Sequence, residues 1–185
     1  MQDYKDILAE VLIDQATLQK RVKELADQIN ADFQGEEILL ICILRGALPF
    51  LVDLMRNLTV LNAIDCMAIT SYGAGARESS GNVRMTLDLQ TNIEGKHVIL
   101  VEDIVDSGHT IARVMDLLRT RKPKSLKVCA LLDKESRREV IVPIDYKGFS
   151  IANKFVFGYG LDLDEYYRNL PFVGVVDLDR YIKSN

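Results

Sequence analysis

Three carboxylates, Glu102, Asp103 and Asp106, fall within five residues, between the apolar run "HVILV" and a helix-forming stretch. Ser107, Gly108, His109 and Thr110 follow at once. A turn that opens a helix presents unpaired N–H groups and the positive end of the helix dipole, which together favour a phosphate. Gly108 lets the backbone approach closely, and Ser107 and Thr110 add hydroxyl donors. Carboxylates one short span away accept hydrogen bonds from vicinal hydroxyls, directly or through Mg²⁺. The combination fits a phosphorylated sugar. The plainer reading of each part alone is that Asp106 caps the helix and the acidic pair is solvated. A Walker A loop and a GxGxxG turn are both absent.

The elements around this stretch alternate. "QATLQKRVKELADQINADF" puts Leu18, Val22, Leu25, Ala26 and Ile29 on one helical face, with Asp14 as the expected N-cap. "EILLICILRGALPFLVDLM" reads as a buried strand, a short Arg-Gly turn and a helix. Residues 62–72 and 83–89 read as strands. In the second, Arg84, Thr86 and Asp88 alternate with apolar residues, which predicts one wet face. The ten residues between them, "GAGARESSGN", are small or polar. "HVILV" is the next strand, "TIARVMDLLRTRK" a helix that stops before Pro123, and "LKVCALLD" another buried strand. Strand–helix alternation predicts an α/β fold with a mostly parallel central sheet flanked by helices. Ligands of such sheets bind outside the carboxyl ends of the strands, where Glu102 and Asp103 are expected. The less regular ends are expected to pack as a smaller lobe.

The chain has 185 residues, 48% of them hydrophobic, which suits one domain. A net charge of −4 argues against a dedicated nucleic-acid binder. Cys42, Cys66 and Cys129 sit apart in apolar runs and read as buried, reduced core thiols. The N-terminus lacks the features of a signal peptide, and "ILLICIL" is too short to span a membrane, so a cytoplasmic protein with no membrane partner is expected.

Four apolar residues, Glu-Asp, two apolar residues and Asp-Ser-Gly-x-Thr together resemble the signature of type I phosphoribosyltransferases. "ILRGALPF", "SYGAGARESSG", "LLDKESRR", "DYKGF" and "KFVFGYGLDLDEYYRNLPFVGVV" extend the resemblance over nearly the whole chain. They narrow it to the short bacterial form of the hypoxanthine-guanine phosphoribosyltransferases. "VILVED" is also similar to receiver domains, but there the acidic pair follows the first strand, and here about a hundred residues precede it.

The resemblance implies a single domain, residues 1–185, with a core over about 36–140, a hood from the N-terminal segment and about 141–185, and a mobile lid over about 71–84. It implies purine salvage: a purine ring nitrogen displaces pyrophosphate from phosphoribosyl pyrophosphate, so that hypoxanthine or guanine becomes IMP or GMP. It assigns Glu102 and Asp103 to the ribose hydroxyls and Mg²⁺, and Asp106 to a proton on the purine's imidazole ring. Ser107, Gly108, His109 and Thr110 take the 5′-phosphate, with His109 in a variable, solvent-facing slot. Arg45 and Gly46 match the pyrophosphate loop, where the family has a basic residue beside a non-proline cis peptide. Ser71 and Tyr72 match the opening of the lid, and Arg168 a pyrophosphate-side arginine. Lys134 matches the lysine that contacts the purine's exocyclic oxygen, selecting an oxo group over an amino group. Phe155 matches the stacking aromatic, and Val156 and Asp162 the base's edge; Asp162 is also a candidate for a second Mg²⁺. A homodimer or homotetramer is implied. Arg77 and Glu78 in the lid, and Ala152 where proline is common, depart from the family's pattern.

Two other readings compete. A regulator that senses phosphoribosyl pyrophosphate and binds nucleic acid should show a basic face; this chain is acidic and keeps Asp106. The other is an enzyme for xanthine, adenine or a pyrimidine; Lys134 and Phe155 favour an oxopurine, but hypoxanthine, guanine and xanthine differ only at one edge position, and the sequence does not distinguish them.

Overall fold

A computed structural model describes residues 3–71 and 83–181. The elements in chain order are α1 (Tyr4–Ile7), β1 (Leu8–Ile13), α2 (Gln15–Asp32), β2 (Glu37–Leu44), α3 (Leu48–Asn57), β3 (Leu61–Ser71), β4 (Val83–Leu87), β5 (His97–Val105), α4 (His109–Thr120), β6 (Ser125–Asp133), β7 (Tyr146–Ser150), β8 (Val156–Phe157) and β9 (Val173–Val176). A single 3₁₀ turn, Glu135–Arg137, follows β6.

The central sheet has the order β4-β3-β2-β5-β6-β7 and is parallel except for the β3–β4 pair. Both faces of β2 and β5 are covered, which is why "ILLICIL" and "VILV" are apolar at every position. Leu40 and Cys42 of β2, with Ile99 and Val101 of β5, join the core beneath α2 and α3. Leu39, Ile41, Val98 and Leu100 alternate with them and join the core beneath α4. Asp14 caps α2 as expected, its Oδ1 accepting from Thr17 N at 2.7 Å, and the five residues of its expected apolar face are the five it buries.

Four expectations are corrected. β5 does not stop at Val101; it runs to Val105, through Glu102 and Asp103, because β6 continues beside it and pairs Val105 with Asp133. The cap of α4 is Gly108, at φ 91°, and not Asp106. β4 ends at Leu87, since Asp88 turns its carboxylate to Leu89 N and to Arg121. Cys66 is half-buried, and it lies in register with Cys42 on the neighbouring strand, so these two thiols are not apart in space.

The chain ends meet. β1 pairs antiparallel with β9, and β9 with β8, in a separate three-stranded sheet. Ile7, Phe157, Leu163, Leu170 and Val176 form its own small core. β7 joins the central sheet, so that sheet extends past residue 140. Its outer edge is covered by Arg21 of α2, which donates to the Lys147 and Gly148 carbonyls at 2.7 and 3.0 Å. Among the described residues no helix is long and apolar enough to cross a membrane.

Candidate active site

The carboxyl ends of β2, β5 and β6 lie side by side and carry the residues that the sequence singles out. Glu102 is buried, and among the described residues its Oε2 has no hydrogen-bond partner. Burial, and then the charge of Asp103, push its carboxyl well above the usual range. Burial also pushes Asp103 up to about 6, against the hydrogen bond that Ile104 N donates to its Oδ1 at 2.8 Å.

β2 delivers the next loop onto this pair. The Leu44–Arg45 peptide is cis. A Cβ on Gly46 would lie 1.7 Å from Asp103 Oδ2, so any other residue there must displace the Asp103 carboxylate. On its other side the Gly46 carbonyl oxygen sits 1.9 Å from where a Cβ of Gly160 would be. Two glycines 114 positions apart thus let the segment after β8 close down on the loop after β2, and Gly160, at φ 100°, takes a backbone conformation that favours glycine.

That contact brings the arginines together. Arg168 Nη1 donates to Gly160 O at 2.8 Å, and its Nη2 meets Asp162 Oδ1 at 2.9 Å and Glu165 Oε2 at 3.1 Å. Arg45 Nη1 reaches the same Glu165 oxygen at 2.5 Å. The hydrogen bond from Arg168, with the charge of Arg45, holds the Glu165 carboxyl below its usual range. Asp162 is fully engaged, its Oδ2 accepting from Glu165 N at 2.9 Å.

Past β5 the chain turns at Asp106, Ser107 and Gly108 into α4, whose first turn has no side-chain cap. The turn is clamped from behind. Glu139 N and Val140 N donate to Ser107 O at 3.0 and 3.1 Å, and a Cβ on Gly108 would meet Val140 O at 2.5 Å. His109 does not point freely into solvent: its Nε2 lies 2.9 Å from Glu139 Oε2, on the clamping segment. Asp106 Oδ2 lies 3.3 Å from the buried Lys134 ammonium, and its Oδ1 lies 3.2 Å from Arg137 Nε. Arg138 spans Asp106 O, at 3.1 Å, and Asp133 Oδ1, at 2.5 Å.

Glu102, Asp103, Asp106, Arg45, Gly46, Ser107–Thr110, Lys134, Asp162 and Arg168 therefore gather around one end of the central sheet. Phe155 is 51% exposed just before β8, and Val156 is buried at its start. Ser71 closes the backbone of β3; Tyr72 and, with it, residues 72–82 of the lid expected over about 71–84 lie outside the described residues. Arg137, Arg138, Glu139 and Glu165 were not singled out in the sequence. The signal that would have raised the first three is a charge run, "KESRRE", directly after a buried strand.

Among the described residues no three His, Cys, Asp or Glu side chains are grouped to hold a metal ion, so Asp162 does not complete a cage with Glu102 and Asp103. Mg²⁺ needs no such cage, because it keeps waters and binds one or two carboxylates plus substrate oxygens. The orphaned Glu102 oxygen beside a second desolvated carboxylate fits such an ion or a pair of hydroxyl donors.

Residues 10–164 match the phosphoribosyl transferase domain. A hypoxanthine phosphoribosyltransferase of Salmonella typhimurium is 46% identical over 171 residues, covering 91% of this chain and 96% of that protein. The bifunctional protein TilS/HprT of Listeria innocua is 41% identical over 174 residues; the match takes in 94% of this chain but spans only 27% of that longer protein. The crystal structure of a hypoxanthine-guanine phosphoribosyltransferase from Bacillus anthracis superposes with a TM-score of 0.86 at 44% identity, covering 92% of this chain and 98% of that one.

Proposed function

Because the chain belongs to the phosphoribosyltransferase family, we propose that it performs purine salvage, transferring the 5-phosphoribosyl group of phosphoribosyl pyrophosphate to hypoxanthine or guanine and releasing pyrophosphate. The observation that carries the choice of base is the pairing of Asp106 with Lys134. It puts a proton acceptor and an ammonium donor together at the mouth of the phosphate turn.

The reaction breaks the bond between the anomeric carbon and pyrophosphate as a purine nitrogen arrives. Positive charge grows on the sugar and negative charge on the leaving group. The turn from Ser107 to Thr110 holds the 5′-phosphate. Glu102 and Asp103 accept from the ribose hydroxyls, and their negative charge favours the oxocarbenium-like transition state. Arg45 and Arg168 neutralise the departing pyrophosphate. Glu102 and Asp103 would hold Mg²⁺, which would supply further positive charge for that group. Lys134 leaves Asp106 for the exocyclic oxygen of the base, which frees Asp106 to hold the proton of the imidazole ring. Phe155 stacks on the base, and Val156 and the backbone at Asp162 meet its edge. An amino group in place of the oxygen would leave the Lys134 donor facing another donor, which disfavours adenine.

The enzyme on this reading is a homodimer or homotetramer, with α3 as the contact face, where Leu48 is an exposed apolar side chain. The reaction is tested by mixing the protein with Mg²⁺, phosphoribosyl pyrophosphate and each of hypoxanthine, guanine, xanthine and adenine. Turnover with the first two and not with adenine is expected. Binding of phosphoribosyl pyrophosphate without turnover of any base would favour the sensor reading.

A further inference from the structure

Glu165 is not one of the residues that the resemblance assigns, yet one of its oxygens receives both arginines of the pyrophosphate side. Arg45 Nη1 is at 2.5 Å and Arg168 Nη2 at 3.1 Å, and the two come from opposite ends of the chain. The turn that carries it is wound for this purpose. Asp164 and Glu165 have φ of 50° and 72°, left-handed values that non-glycine residues rarely adopt, and Glu165 N is anchored on Asp162 Oδ2. The carboxylate therefore occupies N–H groups that a phosphoryl oxygen of the substrate would use.

We infer that Glu165 is an affinity-determining residue that stands in for an anion, keeping Arg45 and Arg168 paired until a diphosphate displaces it and re-pairing them as pyrophosphate leaves. The inference rests on the assignment of these two arginines to pyrophosphate. The contact suits exchange. Glu165 is 63% exposed and Arg45 69%, and exposed ion pairs are worth only about 0–1 kcal/mol, so the pair opens readily. A diphosphate offers several charged oxygens to two guanidiniums, whereas Glu165 shares one oxygen between them. Arg45, Arg168, Asp162 and Glu165 sum to no net charge, and removing the Glu165 charge leaves the cluster at +1. Glu165 thus lowers the affinity for a polyphosphate and speeds its departure, at the step where release limits many enzymes.

The test is calorimetric titration of the full chain with inorganic pyrophosphate and Mg²⁺, comparing the native protein with Glu165→Gln and Glu165→Asp. Glu165→Gln should bind pyrophosphate at least about threefold more tightly, lower the KM for phosphoribosyl pyrophosphate, and become more sensitive to product inhibition. Glu165→Asp, which keeps the charge, should stay closer to the native values. Unchanged or weaker binding by Glu165→Gln, with native turnover of hypoxanthine intact, would overturn the role given to Glu165 alone. It would mean that the carboxylate pre-orders the arginines. Native protein that neither binds pyrophosphate nor turns over a purine would overturn both this inference and the activity beneath it.

Discussion

Gly46→Ala tests the packing on which the site depends. The new Cβ would lie 1.7 Å from Asp103 Oδ2 and 2.7 Å from its Cγ, whereas real Cβ contacts do not fall below 3.0 Å. The two groups must therefore part by at least 1.3 Å, the difference between 3.0 and 1.7 Å. The loop cannot supply that movement by backing away, because its Gly46 carbonyl is already pressed against Gly160. Asp103 must turn instead, giving up the hydrogen bond from Ile104 N. A lost buried hydrogen bond costs about 1–3 kcal/mol, which at this chain length lowers the melting temperature by about 2–4 °C for each kcal/mol. The effect on rate should be larger, since misplacing a reacting group by about 1 Å costs on the order of 100-fold. Steady-state kinetics with phosphoribosyl pyrophosphate varied should show that loss in kcat/KM. Gly35→Ala is the control. Unlike Gly46, Gly35 is left-handed, at φ 80°, but a Cβ there meets nothing within 4 Å, and it lies at the opposite end of β2. It should lose about 1–2 kcal/mol of stability and no activity. Gly46→Ala with native kinetics would refute the claim that this glycine sets the position of Asp103.

The remaining expectations concern charge and the base. Asp103 keeps a proton in the unliganded fold up to about pH 6, while in the unfolded chain it releases it near the ordinary 3.8. The folded state therefore binds more protons across that window, and this group's contribution to stability falls as pH rises through it. Asp103→Asn should accordingly be more stable than the native protein at pH 7.5, on the order of 3 kcal/mol, with the gap closing toward pH 4 and activity lost. Thermal melts at the two pH values check it, and a less stable variant at pH 7.5 would contradict the burial argument. Lys134→Ala should raise the KM for hypoxanthine by roughly 10- to 100-fold, as for a lost hydrogen bond to a charged group, while phosphoribosyl pyrophosphate binding stays within about threefold; equal loss of both would refute its assignment. Gly160→Ala adds left-handed strain to a contact of 1.9 Å with a backbone oxygen, and should destabilise by on the order of 3 kcal/mol in chemical denaturation.

Sequence by itself determined what depends on near neighbours. The 3.6-residue period fixed the buried face of α2, and Asp14 was recognisable as a cap because its partner, Thr17, is three residues away. Unbroken apolar runs marked strands covered on both faces, and the acidic pair with its Ser-Gly turn marked the candidate site proposed for a phosphorylated sugar. What only the tertiary structure decided involves residues far apart in the chain. β5 continues through Glu102 and Asp103 because β6 lies beside it, which no property of 97–105 alone requires. Asp106 reads as a helix cap until a segment thirty residues later brings Lys134 and Arg137 to it. Glu165 reads as one more surface charge, since its partner Arg45 is 120 positions away. Gly46 and Gly160 look like ordinary turn glycines until the fold presses one against a carboxylate and the other against a carbonyl. Periodicity and caps are local, so they are written in the sequence. Steric fit and charge pairing need two distant segments, so they exist only once the chain has folded.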